Sequence, residues 1–329
     1  MIKAYGYHEY EYIKRLERRI GSNEALIKRL HEICGKIMDY EIPIYVIETC
    51  DEDDTVFEMM AEAFIRINKA GVRIGNIELM LSFLAGRIRG PLSLEIKRLY
   101  KDLEEFKIDI QPVIRFVFSE FGLQQSNIVK PKQFKSNIDK IMSLSEEEWK
   151  RRINRAKESM LLTVEFLKKC LGITDGRILP GQIPLVTIAK FFSKAGIKRL
   201  DDLDPETIKY MENWLVLVSF NGYYTSKTDP KLDDDLRVIE ESKGFPFDEL
   251  LKNIERRRIK VKISEGDLRN GINTDILRGK GGRAYLFLLY VALVKNNADN
   301  WNNQRINACK YDELAKHHIF PRELLKEGA

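Results

Sequence analysis

Apolar residues recur three or four positions apart through most of this 329-residue chain, which is the spacing of one buried face of an α-helix. Helices are predicted over residues 15–38, 187–195, 205–220 and 282–296. Ser145 and Glu148 have the spacing of a capping box, which predicts a further helix that begins after Ser145. Because 44% of the residues are hydrophobic, the chain can bury a sizeable core, which excludes wholesale disorder. The sequence therefore predicts a mainly α protein with a helical body built from several segments.

Two short segments have the pattern of β-strands instead. Residues 42–47 form a run rich in β-branched side chains near the N-terminus. Residues 258–263 alternate basic and apolar side chains, which is the period of a half-buried strand. We therefore expect a small β component near the N-terminus and a short basic strand in the C-terminal half.

Membrane-spanning and disulfide-stabilised proteins do not fit this sequence. The longest uninterrupted apolar run, residues 284–294, is about half the length that a membrane span needs. The four cysteines form no Cys-x-x-Cys pair, which predicts reduced thiols rather than a zinc knuckle or a disulfide scaffold. Residues 1–5 are not followed by the apolar core of a signal peptide. The prediction is a cytoplasmic protein without a membrane partner.

The positive charge of the chain is concentrated in one basic segment, residues 251–283. The whole chain has a formal net charge of +5, whereas this segment alone holds ten basic and four acidic residues, a net +6. Its candidate nucleic-acid-binding residues are Arg256, Arg257, Arg258, Lys260, Lys262, Arg278, Lys280 and Arg283. Residues 278–283 also combine glycines with cations, as phosphate-binding loops do. The segment fits either a salt-sensitive surface for nucleic acid or an ordinary solvated charged face.

Two of the four histidines, His317 and His318, are adjacent and precede Ile319-Phe320-Pro321. On a regular strand they would point to opposite faces and would not chelate one ion. In a turn, one imidazole can bind a divalent metal while the other accepts a proton. The alternative is a polar surface feature without chemistry.

Three motifs in the same order resemble domain-of-unknown-function family 262, the N-terminal half of GmrSD-type type IV restriction enzymes and related phage-defence proteins. The first contains Arg66-Ile67-Asn68 and lies within residues 64–74. The second joins the Tyr-Tyr-Thr-Ser segment 223–226 to the Leu-Asp segment 232–236. The third runs from residues 288–301 to the histidine pair and is similar to the approach to an HNH nuclease domain.

The resemblance implies roles for four residues. His318 would be the general base, and His317 would hold a divalent metal such as Mg²⁺, Mn²⁺ or Zn²⁺ on the scissile phosphate. Arg66 and Asn68 would line a nucleotide or phosphate pocket in a ParB-like domain, of which residues 42–47 would be a remnant. Without the resemblance, Asn68 and the following glycine would simply end a helix.

Two parts of the family pattern are missing from the sequence. No Asp-Gly-Gln-Gln-Arg string is present, so nucleotide binding is not expected. The later Asn and His ligands of an HNH site do not follow His318, so the metal site is incomplete. We therefore expect a truncated family domain over residues 1–90, a helical middle region over 91–310 and an incomplete HNH start over 311–329.

The leading hypothesis is a truncated or split member of this restriction-like family that binds DNA and does not cleave it alone. One alternative is a non-catalytic interaction subunit whose protein partner supplies the remaining HNH half. The other is a plain DNA-binding regulatory protein. DNA is the expected partner in the leading hypothesis and in the regulatory one.

Overall fold

The computed structural model describes residues 23–39, 91–128, 131–271 and 282–314. The chain divides into two compact units, residues 1–52 and 53–329. In the described part of the first unit, Glu24–Met38 form helix α1, on which Leu26 and Ile33 are each half exposed. All other described elements belong to the second unit.

Ten helices are described in the second unit. They are α2 (Pro91–Glu104), α3 (Ile110–Glu120), α4 (Pro131–Met142), α5 (Glu146–Leu171), α6 (Pro184–Ala195), α7 (Pro205–Phe220), α8 (Thr228–Glu241), α9 (Phe247–Arg256), α10 (Glu265–Gly271) and α11 (Gly282–Lys295). Short 3₁₀ turns connect several of them, and no strand is assigned within the described ranges. The prediction of a mainly α protein is therefore confirmed.

Helix α6 forms the centre of the second unit. Every residue from 184 to 193 is buried, and most of them are apolar, as a helix surrounded by others requires. It packs against α3, α5 and α8. Pro184 occupies its first turn, and Gly196, with a φ of 67°, ends it in the left-handed conformation.

Helix α7 organises the other side of the core. It packs against both α9 and α11, with Trp214 fully buried. Its bounds match the predicted 205–220, because Asp204 accepts a hydrogen bond from the Thr207 N–H at 2.8 Å and Pro205 follows. The predicted cap of α5 is also confirmed: the Ser145 hydroxyl accepts from the Glu148 N–H at 3.2 Å.

The predicted strand at residues 258–263 is wrong. A strand needs a neighbouring backbone, whereas here the Lys260 carbonyl accepts a hydrogen bond from the Asn221 side chain at 2.9 Å. The alternation that led to the prediction is present in the structure. Arg258, Lys260 and Lys262 are exposed, whereas Ile259, Val261 and Ile263 pack against the core. An irregular segment that docks every second side chain produces the same period as a strand.

Several sequence predictions lie outside the described residues. They are the strand at 42–47 and the candidate site residues Arg66, Asn68, Arg278, Lys280, His317 and His318. Among the helices that the structure does describe, none is long and apolar enough to cross a membrane.

Candidate nucleic-acid interface

The described part of the basic segment continues from the last turn of α9. That helix buries Leu250, Asn253 and Ile254 and ends at Arg256, which is exposed. Arg257 is its C-cap, and Arg258 follows in the left-handed conformation with a φ of 58°. Cations are stabilised at a helix C-terminus by the negative end of the helix dipole, so the three arginines also suit α9 itself.

Three arginines of the basic segment differ from the other described arginines of the second unit, because they form no ion pair with a carboxylate there. Of the fourteen arginines described in the second unit, eleven form an ion pair with Asp or Glu. Within the same ranges, the three arginines without such a partner are Arg256, Arg258 and Arg283, all of which are exposed. Arg283 donates instead to the carbonyl oxygens of Arg177 and Leu179, at 3.2 and 3.1 Å. In the described part of the second unit, the guanidinium groups that have no ion pair there thus all belong to the basic segment.

Arg257 and Lys260 have structural partners. Arg257 lies 2.6 Å from the Asp234 carboxylate on α8, and Lys260 lies 2.6 Å from the Asp267 carboxylate on α10. Hydrogen bonds from Lys260 and Ser264 hold the pKa of Asp267 well below its ordinary value. These two cations therefore hold the irregular segment between its neighbouring helices rather than remaining available to a ligand.

A groove runs beside the irregular segment. Its volume is about 330 Å³, and its apolar lining includes Phe247, Val261 and Val291. Lys262 and Lys295 both line it, and Lys295 is paired with Glu212 at 2.6 Å. One side of the groove is therefore formed by Lys262, which has no ion pair within the described ranges, and another by the C-terminal end of α11.

Three consecutive aspartates of α8 hold the segments around the basic residues in place. Asp233 accepts hydrogen bonds from the Gln125 and Ser126 N–H groups, at 2.6 and 2.9 Å. Asp234 pairs with Arg257 as described. Asp235 is fully buried and accepts from the Tyr224 hydroxyl and, at 2.8 Å, from the Asn253 amide on α9. Together they fix the loop that follows α3 and the position of α9.

The Asp235 cluster joins the two segments of the second motif. The Tyr224 hydroxyl also lies 3.1 Å from the Thr187 hydroxyl on α6, so one network spans α6, α8 and α9. Burial raises the pKa of Asp235 to about 7, and the hydrogen bonds from Tyr224 and Asn253 only partly offset this effect. Burial and the neighbouring Asp235 raise the pKa of Tyr224 well above its ordinary value. The network is enclosed by packed helices, so its role here is to orient them.

Within the described ranges, no group of three His, Cys, Asp or Glu side chains is arranged to hold a metal ion. Sequence reasoning also missed Lys295 as part of the interface, because it lies twelve positions after Arg283 and only the fold brings it to the groove of Lys262. In comparisons with known proteins, no family model and no curated protein matches this chain.

Proposed function

We propose that the protein binds the sugar–phosphate backbone of nucleic acid through Arg256, Arg258 and Lys262, with Arg283 held by the carbonyl oxygens of Arg177 and Leu179 at the start of α11. The pairing pattern carries this proposal: the described arginines of the second unit that have no carboxylate partner within the described ranges are all exposed and all lie in the basic segment. A guanidinium group without a carboxylate is free to bind phosphate oxygens bidentately. Phosphate contacts by such cations supply most of the sequence-independent affinity for nucleic acid.

DNA is the proposed nucleic acid, and the support for it is the motif resemblance to family 262. By the same resemblance, His318 would act as a general base, His317 would hold a divalent metal, and Arg66 and Asn68 would contact a phosphate. The alternatives are an interaction subunit that works with a partner nuclease and a plain DNA-binding regulatory protein. Of these two, the regulatory protein would bind DNA through the same basic surface.

The test removes the three proposed phosphate-binding cations together, in the triple variant Arg256→Ala, Arg258→Ala, Lys262→Ala. Fluorescence anisotropy with a labelled DNA duplex, repeated over a series of salt concentrations, measures the affinity and its salt dependence. We expect weaker binding and a slope of log K against log[salt] that is shallower by about 2 to 3, since each phosphate contact contributes about 0.9.

The matched control removes three exposed arginines that are paired with carboxylates: Arg98→Ala, Arg151→Ala, Arg199→Ala. It removes the same positive charge from the protein but is expected to leave the salt slope unchanged. Equal effects of the two triple variants would show that only net charge matters and would contradict the proposed surface. Duplex binding that is insensitive to the first triple variant would contradict it as well.

A further inference from the structure

Trp301 is the most exposed large hydrophobic side chain in the described part of the protein, at 85%. The two other tryptophans differ from it: Trp214 is completely buried, and Trp149 is half-buried against the core. Exposing an indole ring to water forgoes the free energy of its burial, which is large for so big an apolar surface. The ring is therefore available for contact with a ligand.

The ring is carried on a turn that is fixed by hydrogen bonds. Asp299 and Arg305 form an antiparallel bridge, and the Asn300 N–H donates to the Gln304 carbonyl at 2.8 Å. The Asn300 side-chain oxygen accepts from the N–H groups of Asn302 and Gln304, at 2.8 and 3.0 Å. A side chain presented by a preformed turn loses little conformational freedom when a ligand binds it.

The neighbours of Trp301 are polar amides. Asn302, Asn303 and Gln304 are all exposed and surround the aromatic ring in sequence. Protein-binding hot spots are usually enclosed by other contact residues that exclude water, and this turn offers no such apolar surround within residues 297–305. An isolated ring beside amides suits a nucleic-acid base, because the ring stacks on the base and the amides can hydrogen-bond its edge.

The turn is connected to the groove of the basic segment through the end of α11. It follows directly from α11, whose last residue, Lys295, lines the same groove as Lys262. A strand whose phosphates lie along Lys262 and Arg258 can therefore extend past the end of α11 to the turn. Proteins that bind single strands combine these two features, a cationic track and aromatic stacking positions.

We infer that Trp301 is a stacking platform for an unpaired base, so that the protein prefers single-stranded or locally opened nucleic acid. This inference rests on the proposed function, since the phosphates are held by the basic segment. It adds the class of ligand: a strand with at least one base free to leave its stack. An intact duplex, by contrast, would use the cations alone.

The experiment titrates the protein with an oligothymidine of about 12 nucleotides, within the range of known single-strand site sizes, and with a blunt duplex. We expect oligothymidine to quench the emission of Trp301, the one fully exposed tryptophan of the described ranges. Trp301→Ala is expected to lower the single-strand affinity about 5- to 150-fold and to leave duplex affinity unchanged. Trp301→Phe keeps an aromatic ring and is expected to retain most of the single-strand affinity.

The outcomes separate the two proposals. If the wild-type protein binds neither ligand, the proposed function fails and the stacking role fails with it. If duplex binding depends on Arg258 and Lys262 while Trp301→Ala binds oligothymidine like the wild type, only the stacking role is overturned. A blue shift of tryptophan emission with phosphatidylserine vesicles, without a response to oligothymidine, would assign Trp301 to a membrane surface and overturn it too. Circular dichroism of each variant confirms that the fold is retained.

Discussion

Replacing Asp235 with asparagine should make the protein more stable above neutral pH. The carboxylate is fully buried and accepts hydrogen bonds from Tyr224 and Asn253. In Asp235→Asn, the new amide oxygen can still accept from Asn253, and its NH₂ group can donate to the Tyr224 oxygen. Tyr224 then donates to Thr187, which already lies 3.1 Å away. Each of these hydrogen bonds is then kept, but the donor and acceptor exchange roles in the bond between residue 235 and Tyr224 and in the bond between Tyr224 and Thr187.

The size of the effect follows from the pKa of Asp235. Burial raises it from 3.8 to about 7, so the folded protein keeps a proton that the unfolded chain releases. Between these two values the folded state binds more protons than the unfolded state, and the free energy of unfolding therefore falls as the pH rises. A difference of about three pKa units, at about 1.4 kcal/mol each, amounts to about 4 kcal/mol.

Urea unfolding of the wild type and of Asp235→Asn at about pH 4 and about pH 8 measures this difference. The free energy of unfolding of the variant, relative to the wild type, should rise by about 4 kcal/mol from the lower to the higher pH. The comparison cancels the titration of all other groups. A difference between the two proteins that stays constant over this range would refute the reasoning, because it would mean that Asp235 is ionised at its ordinary pKa in the folded state.

Two further substitutions test other parts of the molecule. Glu120 is buried and binds Lys190 at 3.0 Å, Ser193 at 2.7 Å and Arg155 at 2.8 Å. Glu120→Ala leaves these groups without this carboxylate, so we expect it to lower the free energy of unfolding, measured by urea titration, by about 3 kcal/mol. Glu146→Ala, which removes an exposed partner of Lys150, is the control and should change almost nothing; equal losses would contradict the importance of burial. His318→Ala should leave duplex affinity and its salt slope unchanged in anisotropy titrations, because these are assigned to the basic segment, and a lost slope would contradict that assignment. We expect no nicking by the wild type alone; metal-dependent nicking that this substitution abolishes would contradict that expectation and support His318 as the general base.

Local signals were sufficient to predict where some of the helices begin. Asp204 and Pro205 mark the start of α7, and Ser145 caps α5, because capping involves residues only two or three positions apart. The alternation in residues 258–263 correctly predicted which side chains are exposed but not the backbone conformation. Side-chain alternation arises wherever an extended segment lies on a core, and only a partner strand would make it a sheet.

The candidate interface could be predicted only in outline from the sequence. The sequence shows that the cations are clustered, but Arg257 is paired with Asp234, twenty-three positions away, while the adjacent Arg256 and Arg258 form no ion pair within the described ranges. Ion pairs between distant residues depend on how α8 and α9 pack, and no local pattern encodes that packing. The same holds for Lys295, which shares a groove with Lys262.

The arrangement of α8 and α9 explains why neighbouring cations have different roles. Asp234 and Asp235 attach α9 to α8 through Arg257 and Asn253, so one arginine of the triplet is held against the body of the protein. The neighbouring Arg256 and Arg258 extend from the end of α9, and these contacts fix the position of that end. A surface that binds phosphates through charge alone gains affinity from any exposed cation, whereas fixed cations also set the path of the strand. If the proposed strand path leads towards the end of α11, as the groove shared by Lys262 and Lys295 suggests, the rigid turn at Trp301 is where we expect a base to leave its stack.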